Sequence, residues 1–388
     1  MPTFYEFFAG GGMARMGLGP DWTCEFANDI SPMKAQSYVS NFDKASRHFV
    51  RADINYLEAK TIPGNPDLLW GSFPCQDLSL AGNGMGLGGA RSGLIWKLLN
   101  LAKDLKRQGR GPKLIVLENV TGLLNSRDGM DFYDILANLR NDGFVFGTLM
   151  MDAVKFLPHS RPRIFLVAVA SSQVNINLKL TNGRMSQNYP WTSPRLDTLW
   201  RNAPAPLRDS WVWWSLPAPK PRRSTIADIL EPNVDSWDTE EYTERLLRLM
   251  APLHLDKVRK ASSLGTKMVG TLYRRTRIVD GIRSQRVEVR FDGVSGCLRT
   301  PSGGSSKQRL LFVHGERIRS RLLTTRETAR LMGIPDDYIL PDSYNDAYQI
   351  AGDGVAVPVV HWLSEHLLMP LLATEQYREV AQTELLYA

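Results

Sequence analysis

Three cysteines in 388 residues, Cys24, Cys75 and Cys297, are too few and too widely spaced for a disulfide framework or for paired Cys-x-x-Cys metal ligands. What they leave open is a free thiol with chemistry of its own. No apolar run approaches the roughly 20 residues that cross a bilayer, so no membrane span or membrane partner is expected. The first residues, MPTFYEFFAGGG, lack a basic segment followed by an apolar stretch and a small-residue cleavage site. A cytoplasmic location follows as an expectation. Internal repeats and long low-complexity tracts are also missing, which excludes solenoids and disordered arrays. Hydrophobic residues make up 43% and charged residues 22%, ordinary values for a globular chain. The formal charge of +7 favours a polyanionic partner without proving one.

From Thr3 to about Ala170, β-rich runs alternate with helical stretches, the pattern of a doubly wound α/β sheet. The predicted strands are TFYEFFA, TCEFAND, HFVRADI, DLLWGSF, KLIVLENV, VFGTLMM and RIFLVAVA. Ser31 and Pro32 read as an N-cap and first helical residue, and Leu94, Leu98, Leu101 and Leu105 recur at helical spacing as core positions. After Ser171 the texture becomes rich in proline, tryptophan and arginine until about Arg321. A capping box at Thr324 and Glu327 and a helix opened by Pro358 then restore the α/β pattern. The expected organisation is a catalytic domain in two parts, 1–171 and 321–388, with a smaller domain of residues 172–320 inserted. Trp211, Trp213 and Trp214 are expected in a core and not as base-stacking residues.

In such sheets ligands gather at the strand C-terminal ends. The first strand runs into Phe8-Ala9-Gly10-Gly11-Gly12, where missing side chains let a ligand lie against the backbone. A dinucleotide fingerprint starting at Gly10 would need glycine where Arg15 stands, which disfavours NAD or FAD. Asn28-Asp29-Ile30 and Asp53-Ile54 close the next two strands, with an acid where a ribose hydroxyl pair is commonly held. The fourth strand ends in Phe73-Pro74-Cys75-Gln76 and the fifth in Glu118-Asn119-Val120. Taken alone, Cys75 is either a small buried hydrophobe or a nucleophile, and Glu118 either a surface charge or a catalytic carboxylate.

Read in order, FAGGG, the ND and ADI strand ends, FPCQDLSLAG, ENV, SRPRIFLVAV, RLLTTRETARLMGIPDDY and YQIAGDGVAVP resemble the DNA (cytosine-5) methyltransferase family over nearly the whole chain except the insertion. The resemblance implies a Rossmann-like fold binding S-adenosyl-L-methionine, with an inserted target recognition domain. It implies Cys75 as nucleophile, Glu118 on the N3 and amino edge of cytosine, and Arg161 and Arg163 as active-site arginines. Phe8, Gly10, Gly11, Gly12, Asn28, Asp29, Ile30, Asp53, Ile54, Pro74, Asp353 and Val355 take cofactor roles by the same carry-over. Ser79 and Arg91 would belong to a loop, with Gly82 to Gly93, that closes over DNA. In the inserted domain Arg274, Arg275, Arg277, Arg283, Arg286 and Arg290 are candidates for phosphate or guanine contacts, or for a solvated basic face. No metal is implied. Duplex DNA is the expected partner, the protein a monomer on it, with a restriction endonuclease of the same specificity as a further partner the family allows.

Three positions depart from the family pattern: Met13 replaces a further glycine, His159 a glutamine, and Asp353-Gly354 an asparagine and a small residue. The tRNA-modifying branch of the family is disfavoured by the long insertion and the absence of its Cys-Phe-Thr tripeptide. A silent DNA-binding regulator on the same scaffold would have no chemical need for an intact Pro-Cys-Gln and Glu-Asn-Val.

Overall fold

The computed structural model describes residues 1–74, 93–171, 189–279, 282–299 and 307–373. Packing divides the chain into two compact units, one of residues 1–152, 162–219 and 357–388, the other of residues 153–161 and 220–356.

The larger unit opens with β1 (Thr3–Phe7), α1 (Met13–Leu18), β2 (Thr23–Asp29), α2 (Pro32–Asn41), β3 (Phe49–Arg51) and β4 (Leu68–Gly71). It continues with α3 (Leu94–Arg107), β5 (Leu114–Val120), α4 (Met130–Asn141), β6 (Phe144–Asp152) and β7 (Pro162–Ala170), then α5 (Pro194–Asn202) and α6 (Ala205–Asp209). Every strand read from the sequence is present. They form one sheet in the order β3-β2-β1-β4-β5-β7-β6, with β1 to β5 parallel and β7 antiparallel to both of its neighbours. The chain builds outward from β1 through β2 and β3, then crosses back to place β4 on the other side of β1. That reversal is the topological switch point at which α/β sheets open a crevice. Because β1, β2, β4 and β5 run parallel, Phe8, Asp29, Pro74 and Glu118 all arrive at the same sheet edge.

The local signals explain the helices. Ser31 caps α2 through its side chain on Lys34 N, with Pro32 as first residue. Leu98, Leu101 and Leu105 bury one face of α3 against the sheet, and Leu94 packs half-buried beside them. Met13, the departure from glycine, starts α1 and is 2% exposed. Residues 189–219, read in the sequence as the start of the insertion, pack on the β6 edge: Val212 N donates to Phe146 O, and Trp211 and Trp214 are buried. Trp211 and Trp214 are core, as expected, and Trp213 is half-buried against it.

The smaller unit has α7 (Glu240–Arg248) and α8 (Pro252–Ser263) against an antiparallel sheet of β8 (Met268–Val279), β9 (Ile282–Arg290), β10 (Arg309–His314) and β11 (Arg317–Leu322), ordered β11-β10-β8-β9. Leu246, Met250, Val258, Leu272, Val287, Val289, Leu311 and Val313 form its core. It also holds α9 (Thr325–Arg330), begun by the expected capping box of Thr324 and Glu327, and α10 (Tyr344–Asp353). The packing boundaries therefore fall near 220 and 356, whereas the change in sequence texture falls near 172 and 320.

α11 (Val357–Leu363) belongs to the larger unit and closes over α1. The position a Cβ on Gly17 would take lies 2.4 Å from Val360 Cβ, so the helices approach too closely for any side chain there. Trp22 Nε1 donates to Ser364 Oγ beside them at 2.9 Å. By length and composition the stretch Tyr344–Ala373 could cross a membrane. Its regular structure is broken at 354–356, and Ala347, Ile350, Val359, Val360, Leu363 and Leu367 are all buried in their own units, which accounts for the apolarity as core.

Candidate active site

The sequence reading ran the first strand on through Ala9, but β1 stops at Phe7 because Phe8 takes a left-handed conformation, φ 57°. For a residue with a side chain this costs about 1–3 kcal/mol and persists only where neighbours enforce it. They do so here through Ala9 N on Asn28 O and Gly12 N on Ala9 O. The turn directs backbone amides toward the end of β2. Asp29 then gathers them: Oδ2 accepts from Gly10 N and Oδ1 from Ser31 N, both at 2.9 Å. Gly10 is itself left-handed, φ 56°, and no atom of the described residues lies within 4 Å of where its Cβ would project, so among them the loop leaves an open cradle.

The neighbouring residues divide into support and contact. Asn28 is 1% exposed and its amide donates to Val50 O and Ala52 O, fastening β2 to β3. Asp53 caps a short turn through Asn55 N, and Ile54 is buried in the core. Ile30, by contrast, is 63% exposed at the end of β2, an apolar surface free for a flat ring.

Beneath the glycine loop lies a buried polar cluster absent from the sequence reading. Glu6 is 1% exposed, and its Oε2 has no hydrogen-bond partner among the described residues. Burial pushes its carboxyl up to about 8, against the pull of Arg15. Arg15 donates to Tyr38 Oη and to His48 Nε2, and burial with the Arg15 charge holds His48 down to about 4. Burial raises the Cys24 thiol to about 12, with the Glu6 charge adding to it, which makes Cys24 an inert thiol.

At the other side of the crevice, Glu118 and Arg163 face each other across β5 and β7. The ladder pairs Val120 with Arg163, so Glu118, two residues back, shares their face, and Arg163 Nε comes within 3.2 Å of Glu118 Oε1. Asn119 points the opposite way. Its amide donates to Phe73 O at 3.0 Å and its oxygen accepts from Val120 N. It thereby anchors the end of the strand that leads into Pro74 and Cys75. Asn119 was read only as part of a motif, and its signal was the strand alternation that turns it away from Glu118 toward β4. Cys75, Ser79 and Arg91 lie outside the described residues.

Arg161 serves a different place. It precedes β7, is 3% exposed, and grips the backbone carbonyls of Leu298, Gly352 and Gly354 within the smaller unit, at 3.1, 2.8 and 2.7 Å. These carbonyls flank Asp353, which ends α10 and accepts from Gln349 Nε2, and Val355, which is buried. His159 is fully buried and bridges Leu331 O and Leu298 N, which fixes a neutral ring with its proton on Nδ1; burial lowers its pKa. His159 is a structural hydrogen-bonding residue.

The arginines of the smaller unit lie on β8 and β9. Arg275 and Arg277 meet Glu288, Arg290 meets Asp292, and Arg274 donates to Gln285. Among the described residues no carboxylate pairs with Arg283 or Arg286.

These strand ends, loops and paired side chains define a donor-binding α/β transferase. Residues 2–368 match the family described as C-5 cytosine-specific DNA methylase, and the chain belongs to it. It is similar to the Type II methyltransferase M1.ScrFI of Lactococcus lactis subsp. cremoris, 25% identical over 94% of this chain and 77% of that one. It is likewise similar to M.HpaII of Haemophilus parainfluenzae, 28% identical over 95% and 90%. The fold resembles the Dnmt2 methyltransferase of S. pombe, TM-score 0.58 at 20% identity, covering 96% and 99% of the two chains. The Entamoeba histolytica methyltransferase EhMeth gives 0.60 at 17% identity with the same coverage. The enzyme methylates cytosine C5 in DNA, with S-adenosyl-L-methionine as methyl donor and duplex DNA as substrate.

Proposed function

We propose that methylation proceeds through covalent addition of Cys75 to C6 of a cytosine turned out of the duplex. The observation that carries this reading is the Glu118–Arg163 pair, set at the same sheet edge as the Asn119-anchored stem of Cys75. Cytosine C5 is too weak a nucleophile to take a methyl group unaided, and covalent catalysis divides the difficulty. The Cys75 thiolate forms the S–C6 bond, and the C5–C6 π pair moves to C5, with negative charge spreading to N3. Glu118 meets the N3 and amino edge and, as the carboxylic acid, gives N3 the proton that offsets that charge, while Arg163 lies against the carboxyl. After the methyl group is on C5, a base takes the C5 proton, the S–C6 bond breaks and the double bond returns. Attack perpendicular to the ring requires the base to leave the stack, at a cost of a few kcal/mol.

Adenosylmethionine supplies the methyl carbon as an activated sulfonium. The open cradle at Gly10 fits it, with Phe8, Gly11 and Gly12 around the loop, Asp29 and Ile30 toward the nucleoside, and Pro74 toward the methyl group. Asp53, Asp353 and Val355 complete the candidate set.

Residues 172–320 act as the target recognition domain in this reading, the enzyme works as a monomer on DNA, and the Type II methyltransferase names of the relatives support a cognate endonuclease as a further partner. The test is duplex DNA carrying 5-fluorocytosine at the target. Fluorine cannot leave as a proton does, so a denaturant-resistant adduct should accumulate only with adenosylmethionine and map to Cys75. Cys75→Ser should abolish it, and near-normal methylation by Cys75→Ser would overturn the mechanism. Exchange of residues 172–320 with those of a relative should change the methylated sequence.

A further inference from the structure

β8 is longer than the sheet it belongs to. β10 pairs with it only from Met268 to Leu272, and the core ends with Leu272, Val287 and Val289. Beyond that point residues 273–279 have β9 alone as a partner, so the two strands leave the sheet as a ribbon. Such a ribbon has little stability of its own, yet it carries the exposed Arg275, Arg277 and Arg283 and the half-buried Arg286, with Ile278 70% exposed. Arg275 and Arg286 stand directly opposite each other in the ladder. Like charges so placed are destabilising unless an anion offsets them. A two-stranded ribbon is also of a size that the DNA major groove admits.

One face of this ribbon is ordered internally. The register puts Arg275, Arg277, Arg286 and Glu288 on the same side. Glu288 Oε1 accepts from both Nε and Nη2 of Arg277, and Glu288 Oε2 lies 3.5 Å from Arg275 Nε. A guanidinium offers two forked edges, and Glu288 takes the one made by Nε and Nη2. The edge made by Nη1 and Nη2 is left pointing away from the carboxylate. That free edge is the fork that meets guanine O6 and N7, and the carboxylate fixes its plane before DNA arrives. Among the described residues no carboxylate pairs with Arg286, which leaves its charge suited to a phosphate.

We propose that the β8–β9 ribbon enters the major groove, that Arg277 reads one guanine of the recognition sequence, that Glu288 is its positioning residue, and that Arg286 contacts a phosphate. The proposal rests on the recognition role assigned above to residues 172–320. The same surface could belong to a ribbon lying across the backbone with every arginine on phosphate, and the experiment separates the two.

The full-length enzyme is incubated with adenosylmethionine and a duplex library randomised around a fixed cytosine, and methylated positions are read by bisulfite sequencing. The unaltered enzyme should prefer a guanine at one position outside the methylated base pair. Arg277→Ala should relax that position alone, by on the order of 10- to 100-fold in preference, the range of one bidentate base contact. Glu288→Gln should relax the same position to a smaller degree, with thermal unfolding unchanged, which a merely structural glutamate would not do. Arg286→Ala should weaken binding to all sequences alike and lower the slope of log affinity against log salt by about 1. Uniform weakening by Arg277→Ala with every base preference intact would overturn the proposal in favour of phosphate contact. Relaxation at an A·T position would overturn it as well. If exchanging residues 172–320 left the methylated sequence unchanged, the recognition role itself would fail, and the proposal with it.

Discussion

Arg163 Nε lies 3.2 Å from Glu118 Oε1, two residues along the ladder from Val120, the backbone partner of Arg163. The two side chains are 14% and 9% exposed, so they form a largely buried pair. Arg163→Ala should lower the unfolding free energy by about 3 kcal/mol, because it removes one member of that pair. It should also reduce single-turnover methylation on the order of 100-fold. Arg163→Lys should recover much of the stability but less of the rate, since an ammonium offers no planar fork. Denaturant titration with single-turnover kinetics checks both, and a lysine variant at full rate would remove the need for the guanidinium.

Asn119 donates to the carbonyl oxygen of Phe73, the residue before Pro74. Asn119→Asp keeps the shape but loses the N–H donor, so it should behave like Asn119→Ala. Both should slow the chemical step by roughly 100-fold, as small misplacements of reacting groups do, while DNA affinity stays within about twofold. Rapid-quench methylation alongside a binding titration distinguishes this from a loss of substrate affinity, which would argue against a positioning role.

Asp29 receives two backbone amides, one of them from the left-handed Gly10. Asp29→Ala releases both and should weaken adenosylmethionine binding on the order of 10-fold or more, in line with about 1–3 kcal/mol for unsatisfied buried donors. Calorimetric titration of the donor in the absence of DNA reads this directly. Unchanged donor affinity would mean that the loop keeps its shape without the carboxylate.

Stability should carry the signature of the cluster around Glu6. The folded carboxyl, held up to about 8, keeps its proton where the unfolded chain, near 4.5, has released it. Stability from this group is present at low pH and is lost as pH rises toward 8. His48 works on the other limb: the folded ring, near 4, stays neutral where the unfolded one, near 6.5, binds a proton. Its contribution is therefore full above 6.5 and is lost as pH falls through 4. Glu6→Gln should flatten the decline in Tm between about pH 4.5 and 8 and leave the part of the acid limb that His48 sets intact. A decline equally steep in both proteins would show that Glu6 is ionised when folded.

The sequence was most legible where local chemistry and long-range packing agree. Ser31 before Pro32, the Thr324–Glu327 box and the leucines of α3 each form the element that their spacing predicts. It was least legible where a residue acts against its own type. Nothing in Phe8 announces a left-handed turn, because the turn is imposed by the hydrogen bonds that Ala9 N donates to Asn28 O and Gly12 N to Ala9 O. Arg161 and Arg163 look equivalent in an Arg-Pro-Arg triplet, yet β7 begins at Pro162. Arg163 therefore follows the strand alternation to Glu118, while Arg161 stays outside the strand and goes to carbonyls of the smaller unit. Residues 189–219 have no helical or strand period strong enough to reveal that they edge β6. Their attachment rests on a few backbone bonds and buried tryptophans.

The pairing of α1 with α11 bears on how the enzyme is made. Val360 and Ser364, which cover Gly17 and Trp22, emerge from the ribosome more than 300 residues after them. At about 5–20 residues per second the nascent chain passes tens of seconds with that seam uncovered. The smaller unit is synthesised entirely within this interval. Completion of the sheet's outer layer is thus the last folding event available to the larger unit, and chains interrupted before residue 357 would leave the ribosome with an apolar seam open to chaperones or to one another.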